Sequence, residues 1–234
     1  MSAAEKLYTG SFHQNHVRTS MESANRVVPE LLRQVVTHSI IDVGCGIGTW
    51  LQAFQKAGVP DILGVDGEYV NTSNLLIPVN LFQGRNLSEP FNITRVFDLA
   101  VSLEVAEHLP PERASGFVGD LCRLAPYVLF SAAIPGQSGT GHINERWQTY
   151  WADLFKKNDF VPLEVFGRRF WSDPQVRYEY AQNMVLYCTA NRTSHQETVL
   201  DVVHPHYWNN IGLRRIGSSL PNAFRMAWNR RLRR

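Results

Sequence analysis

Ile40-Ile-Asp-Val-Gly-Cys-Gly-Ile-Gly-Thr-Trp50 is the stretch whose reading decides the fold. Apolar residues run into three alternating glycines, and a helix-forming segment follows. This is a buried strand, a tight turn and a helix start. Gly44, Gly46 and Gly48 permit positive φ and a close backbone approach to a ligand. A nicotinamide-binding turn would read GxGxxG, but here the sixth position is Thr49, and no GxxxxGK[ST] phosphate loop occurs. Next comes Asp61-Ile-Leu-Gly-Val-Asp66-Gly67, a second apolar strand ending in an acid. A carboxylate there accepts both hydroxyls of a ribose; the alternative is a helix N-cap or a turn residue.

Outward from these strands, apolar runs alternate with amphipathic segments, which predicts a doubly wound, mostly parallel α/β sheet. Strands are expected at Ser39–Val43, Asp61–Val65, Pro78–Phe82, Val96–Ser102, Tyr127–Ala132, Leu163–Phe166 and Met184–Thr189. Helices are expected at Met21–Val36, Thr49–Ala57, Pro111–Leu124 and Arg146–Lys157. An Arg/Trp-rich loop, Gly167–Tyr178, separates the last two strands, so they should close the seven-stranded sheet as an antiparallel hairpin. The organisation reads as a cap or lid region at 1–38, a ligand-binding domain at 39–190 and a basic appendage at 191–234.

The 234 residues are 44% hydrophobic, enough for a substantial core and against a disordered chain. Absence of a long apolar run argues against a membrane span, and the N-terminus has no secretory h-region. Three isolated cysteines argue for a reducing, cytoplasmic setting and against a structural zinc site. Residues 1–201 carry net −5 and residues 202–234 carry seven arginines and no acid. The tail reads either as solvated or as docking on an acidic surface, a membrane face or a partner.

The glycine turn, Asp66 and four further stretches resemble the class I S-adenosylmethionine-dependent methyltransferases, in particular a bacterial stand-alone branch linked to glycans and secondary metabolites. The further stretches are Phe97-Asp-Leu-Ala-Val-Ser-Leu-Glu-Val-Ala-Glu-His-Leu-Pro110, Val128-Leu-Phe-Ser-Ala-Ala-Ile-Pro-Gly136, Gly141-His-Ile-Asn-Glu-Arg-Trp147 and Gln182-Asn-Met-Val-Leu-Tyr187. The resemblance spans roughly residues 20–190. It implies S-adenosylmethionine as cofactor. Gly44, Cys45, Gly46 and Gly48 would lie against its methionine part, with Asp42 orienting the loop or the amino group. Asp66 would hold the ribose and Gly67 would flank the adenine. Asn86-Leu87 stands where the family usually has Asp-Leu, and Ser102-Leu103-Glu104 would face the transferred methyl.

An oxygen nucleophile needs its proton removed, by a base titrating near neutrality or by a metal. Glu104, Glu107 and His108 follow strand four, and His142, Asn144 and Glu145 follow strand five; both groups fall at the carboxyl edge of the sheet. The catalytic candidates are His142, as general base, with His108, Glu104 and Glu145. No metal is expected as required; a divalent ion on Glu104, Glu107 and His108 is the lesser alternative. Tyr8, Phe12, His13 and His16 read as lid residues or a frayed end. Trp147, Tyr150 and Trp151 read as core packing ahead of a substrate wall. Arg168, Arg169, Phe170, Trp171 and Arg177 suit an anionic or sugar-like substrate and a homodimer interface equally.

The leading function is therefore O-methylation of a small-molecule or glycan hydroxyl, with N-methylation as the alternative. An NAD-dependent oxidoreductase is disfavoured by Thr49 and by the absence of a Tyr-x-x-x-Lys pair. Nucleic acid is not the expected substrate, because the acidic body lacks a broad basic face. A non-catalytic cofactor-binding module is the remaining class.

Overall fold

The computed structural model describes residues 11–163, 165–166, 169–192 and 200–207, with side chains from residue 15 onward. Seven strands form one sheet: β1 (Ser39–Val43), β2 (Asp61–Asp66), β3 (Phe82–Gly84), β4 (Leu99–Leu103), β5 (Tyr127–Ser131), β6 (Phe160–Leu163) and β7 (Val185–Thr189). Their spatial order is β3-β2-β1-β4-β5-β7-β6. β1 to β5 are parallel, and β7 runs antiparallel between β5 and β6. The helices are α1 (Ser11–Gln34), α2 (Thr49–Lys56), α3 (Ala114–Leu124), α4 (Gln148–Lys156) and α5 (Tyr178–Asn183).

Central parallel strands are covered on both faces, so they read as continuous apolar runs. Alternate residues then enter opposite layers. Ile40, Leu99 and Leu129 pack in one cluster with α1 and α2, through Val27, Leu31, Trp50 and Phe54. Ile41, Ala100, Val128 and Phe130 pack in the other with α3 and α4, through Phe117, Leu121, Trp151 and Phe155. α1 buries Ala24, Val27, Val28 and Leu31, the one-sided stripe of a 3.6-residue repeat, and Val35 just past its end is buried with them. α2 stops at Gly58, whose φ of +96° lets its N–H reach Gln55 and lets the Val59 N–H reach Phe54.

Four expectations need correction. Residues 79–81 form a 3-10 turn between Pro78 and the short strand β3, because Pro78 cannot donate a ladder bond at that point. The sixth strand lies at Phe160–Leu163, upstream of the expected Leu163–Phe166; it accommodates Pro162 because β6 is an edge strand. The Pro110-Pro111 pair opens a 3-10 turn, so α3 begins at Ala114. The segment between β6 and β7 contains α5, which the sequence reading left as loop and strand lead-in.

The order of strands reverses beside β1, with β2 on one side and β4 on the other. In open α/β sheets the crevice outside the carboxyl ends at such a switch is where ligands bind. Here that crevice is bounded by the glycine turn after β1 and by Glu104–His108 after β4.

Candidate active site

The glycine turn is built by its φ values. Gly44, Gly46 and Gly48 have φ of +89°, +53° and +87°. Val65 accepts from the Gly44 and Cys45 amides at 2.7 and 3.2 Å, which folds the turn back over β2. A Cβ at Gly44 would meet Val105 Cγ2 at 2.2 Å, so this glycine lets the β1 turn touch the segment after β4. A Cβ at Gly46 would meet nothing within 4 Å: the turn presents bare backbone to open space there.

Asp66 ends β2 under this turn. Its Oδ2 accepts from the Gly46 N–H at 2.6 Å, and its Oδ1 accepts from the Gly67 N–H and the Tyr69 hydroxyl, both at 2.6 Å. The Tyr69 phenol thus occupies an acceptor position that a sugar hydroxyl would use. Sequence reasoning missed Tyr69; its three-residue offset from Asp66 carries no periodic signal. Asp42 is buried, has no hydrogen-bond partner among the described residues, and is held well above the usual carboxylate range by burial and then by Asp66. Burial likewise raises the Cys45 thiol, so it is no nucleophile.

A bare backbone turn, an acid at the end of β2 and the buried Asp42 carboxyl beneath them fit S-adenosylmethionine. When bound, it supplies an electrophilic methyl on a sulfonium. Beyond β3, Leu87 is buried and its carbonyl accepts from Arg113 Nε at 3.1 Å. Asn86 is exposed, and its Oδ1 accepts from the Ser88 N–H at 3.1 Å, leaving its amide N–H groups outward. Ser102 is wholly buried with its hydroxyl unpartnered, and Leu103 joins the core.

Glu104 turns the chain out of β4 with φ +56°, a left-handed conformation rare for a side chain of this size. Ser131 fixes it by accepting the Glu104 N–H through its carbonyl and hydroxyl oxygens, both at 3.1 Å. The carboxylate accepts from Gln137 Nε2 at 2.9 Å and Asn183 Nδ2 at 3.1 Å. Burial raises its pKa, and these donors oppose the rise. Gln137 and Asn183 were not predicted as site residues; both are buried amides, gathered from the loop after β5 and from α5 by tertiary folding.

Glu107 is fully buried, and neither carboxylate oxygen meets full hydrogen-bond geometry, although its own amide and the Ala133 amide lie close enough to favour the charged form and the Glu104 carboxyl close enough to oppose it. Burial, then the Glu104 carboxyl, push its pKa well up. Its carbonyl accepts from the Ile143 and Asn144 amides at 2.9 and 3.0 Å, which ties the β5 loop to the β4 loop. His108 and His142 thereby meet edge to face, with ring centroids 4.8 Å apart. His108 stands at the rim with Nδ1 3.3 Å from the Gly141 carbonyl; partial loss of water, then the His142 imidazole, lower its pKa.

His142 Nδ1 lies 3.0 Å from Glu145 Oε1. Glu145 itself accepts from the Gly136 N–H at 2.6 Å and the Ser138 N–H at 2.7 Å. An ionised carboxylate only accepts, so His142 carries its proton on Nδ1 and presents a bare Nε2 lone pair. Asn144, buried beside this pair, accepts from Arg146 Nε at 3.0 Å and shapes the loop instead of lining the cleft.

Several other candidates separate. Trp151 packs on Phe130, while Trp147 is partly exposed. Phe170 is core and Arg169 pairs with Glu30 of α1, while Trp171 and Arg177, the latter paired with Glu179, line one cavity with Tyr178 and His204. Tyr8, Arg168 and residues 208–234 lie outside the described residues, as do the side chains of Phe12 and His13. α1 is fastened over the glycine turn by Ser20, whose hydroxyl lies 3.2 Å from Thr49 Oγ1 and 3.3 Å from the Tyr180 hydroxyl. No described helix is long and apolar enough to cross a membrane.

Among solved structures, the magnesium protoporphyrin IX methyltransferase (ChlM) from Synechocystis PCC 6803 with bound SAH is similar at TM-score 0.55 and 17% identity, covering 79% of this chain and 92% of that one. The methyltransferase domain of bacterial CtHen1-C is similar at TM-score 0.54 and 20% identity, covering 72% and 98%. These likenesses are of fold. No curated protein sequence gives a significant match. Residues 14–173 match the methyltransferase-domain family, and with the switch-point crevice, glycine turn and Asp66 in place, the chain belongs to that family and is an S-adenosylmethionine-dependent methyltransferase.

Proposed function

We propose that the chain methylates a hydroxyl of a small molecule or glycan, and that the His142–Glu145 pair generates the oxygen nucleophile. The supporting observation is the Glu145-held imidazole at the carboxyl edge of the sheet, with its Nε2 bare. With the electrophilic methyl supplied by the cofactor, the residues would have three tasks: to hold the acceptor, to exclude water and to take a proton. In the metal-free chain the proton passes to His142 Nε2, and Glu145 stabilises the imidazolium through Nδ1–H. Glu104, fixed by Gln137 and Asn183, lines the acceptor side. Gly44, Cys45, Gly46 and Gly48 take the methionine end, with Asp42 at the amino group. Asp66 takes the ribose, and Gly67, Asn86 and Leu87 border the adenine.

This reading carries the three-part organisation, a cytoplasmic setting and a non-nucleic-acid substrate with it. A panel of phenols, sugars and amines assayed with methyl-labelled cofactor tests it. Label on oxygen, lost in His142→Ala, supports it; label only on amines or on RNA contradicts it.

A further inference from the structure

We propose that Glu107, His108 and His142 form a binding site for a first-row divalent cation of the Mn²⁺/Fe²⁺/Co²⁺/Zn²⁺ class. One ligand atom from each lies within 4.8 Å of the other two. A tetrahedral ion about 2.1 Å from each ligand atom holds them about 3.4 Å apart, so the three side chains must close by up to about 1.4 Å to assemble the site.

Two features point to an ion. First, Glu107 is 0% exposed and neither oxygen meets full hydrogen-bond geometry, although its own amide and that of Ala133 lie close and the Glu104 carboxyl faces it; buried carboxylates are otherwise fully paired or ligating. Second, both imidazoles have Nδ1 engaged by an acceptor, Glu145 for His142 and the Gly141 carbonyl for His108. That outer contact fixes the tautomer with Nε2 bare, as in carboxylate- and carbonyl-oriented metal histidines. Neither Nε2 has a hydrogen-bond partner among the described residues.

Two nitrogens and one carboxylate oxygen select borderline transition ions over Mg²⁺ or Ca²⁺ and leave coordination positions open. The Glu107 carboxylate, with Glu145 behind His142, balances the double charge. Glu104 is not among these ligands, because Gln137 and Asn183 occupy its oxygens.

The site lies beside the cofactor crevice, since Val105 touches Gly44 two residues before Glu107. The role given to the ion there rests on the proposed oxygen methylation: it would acidify the acceptor hydroxyl, whose proton then leaves to solvent while His142 serves as ligand.

The test uses the full chain after EDTA dialysis, titrated with Co²⁺ and Mn²⁺ by calorimetry and by the Co²⁺ absorption spectrum. The expected result is one ion per chain, with affinity reduced about tenfold or more in Glu107→Gln and His108→Ala. Excess Mg²⁺ should leave binding unchanged, and His38→Ala, away from the cluster, should bind as wild type does. S-adenosylhomocysteine thermal shifts, measured on every variant, report folding and the cofactor site separately. Wild-type protein that binds S-adenosylhomocysteine but takes up no stoichiometric ion overturns the inference. So does equal uptake by Glu107→Gln and His108→Ala. Stoichiometric Co²⁺ with methylation only of amines would uphold the ion site and overturn the oxygen-acceptor reading.

Discussion

Glu145 holds the imidazole of His142 at 3.0 Å while being held itself by the amides of Gly136 and Ser138. A loop of irregular backbone therefore presents one histidine in one tautomer. Gly136, Ser138 and Gly141 all have positive φ, with values of 84°, 62° and 79°. Such conformations persist where surrounding contacts fix them, and at functional sites the constraint serves geometry.

His142→Ala should lower kcat by about 10²–10⁴-fold, the usual contribution of a positioned proton acceptor. Its S-adenosylhomocysteine affinity should stay near wild type, because His142 touches none of the glycine-turn residues. Glu145→Gln should lower kcat by roughly 10–100-fold through loss of orientation, since its amide N–H groups would confront backbone donors. Steady-state kinetics beside calorimetry check both; equal losses in kcat and cofactor affinity would remove the pair from catalysis.

The two central turn glycines should respond differently to alanine. Gly44→Ala places a methyl 2.2 Å from Val105 Cγ2 at φ +89°. Overpacking of this kind costs about 1–3 kcal/mol, which lowers Tm by roughly 2–4 °C per kcal/mol in a chain of this size. Gly46→Ala meets no protein atom and bears only the left-handed φ of +53°, about 1–2 kcal/mol, so its Tm should fall less than that of Gly44→Ala, which bears both costs, while S-adenosylhomocysteine affinity falls. Differential scanning fluorimetry with and without ligand separates the two effects.

Asp42 gives a pH-dependent signature. Its folded pKa is raised by burial and by Asp66, so the folded chain binds more protons than the unfolded chain above the ordinary carboxylate range. Stability contributed at this site therefore falls as pH rises from about 4 towards the folded value. Cofactor-free Asp42→Asn should be more stable than wild type near neutral pH, and the gain should vanish below about pH 4. Its affinity for S-adenosylhomocysteine should drop by about tenfold, the loss of one charge-assisted contact. Denaturant melts across pH check the first expectation and calorimetry the second; a gain that persists in acid contradicts the assignment.

The parallel core was legible because β1, β2, β4 and β5 are apolar runs whose two faces are both buried, and because glycine and proline punctuate their ends. β3 and β6 were misplaced because each is a short edge element beside a proline, where the apolar pattern outlasts the hydrogen-bonded ladder. α5 was hidden because its six residues are too few to show a helical period. Asp66 and the glycine turn could be read locally, since spacing alone brings them under one another. Tyr69, Gln137 and Asn183 could not, because their partners lie on other elements or in an irregular turn. The grouping of Glu107 with His108 and His142, and the release of Glu104 to the amides, depended on how the β5 loop docks on the β4 loop.

The most direct measurement is calorimetric titration of S-adenosylhomocysteine into the wild-type chain and into Asp66→Ala. One site per wild-type chain is expected, with affinity at least about tenfold lower in the variant, the loss of one to two charge-assisted hydrogen bonds. Equal affinity in the two proteins, or no binding heat in the wild type, would contradict the placement of the cofactor over Asp66 and the glycine turn.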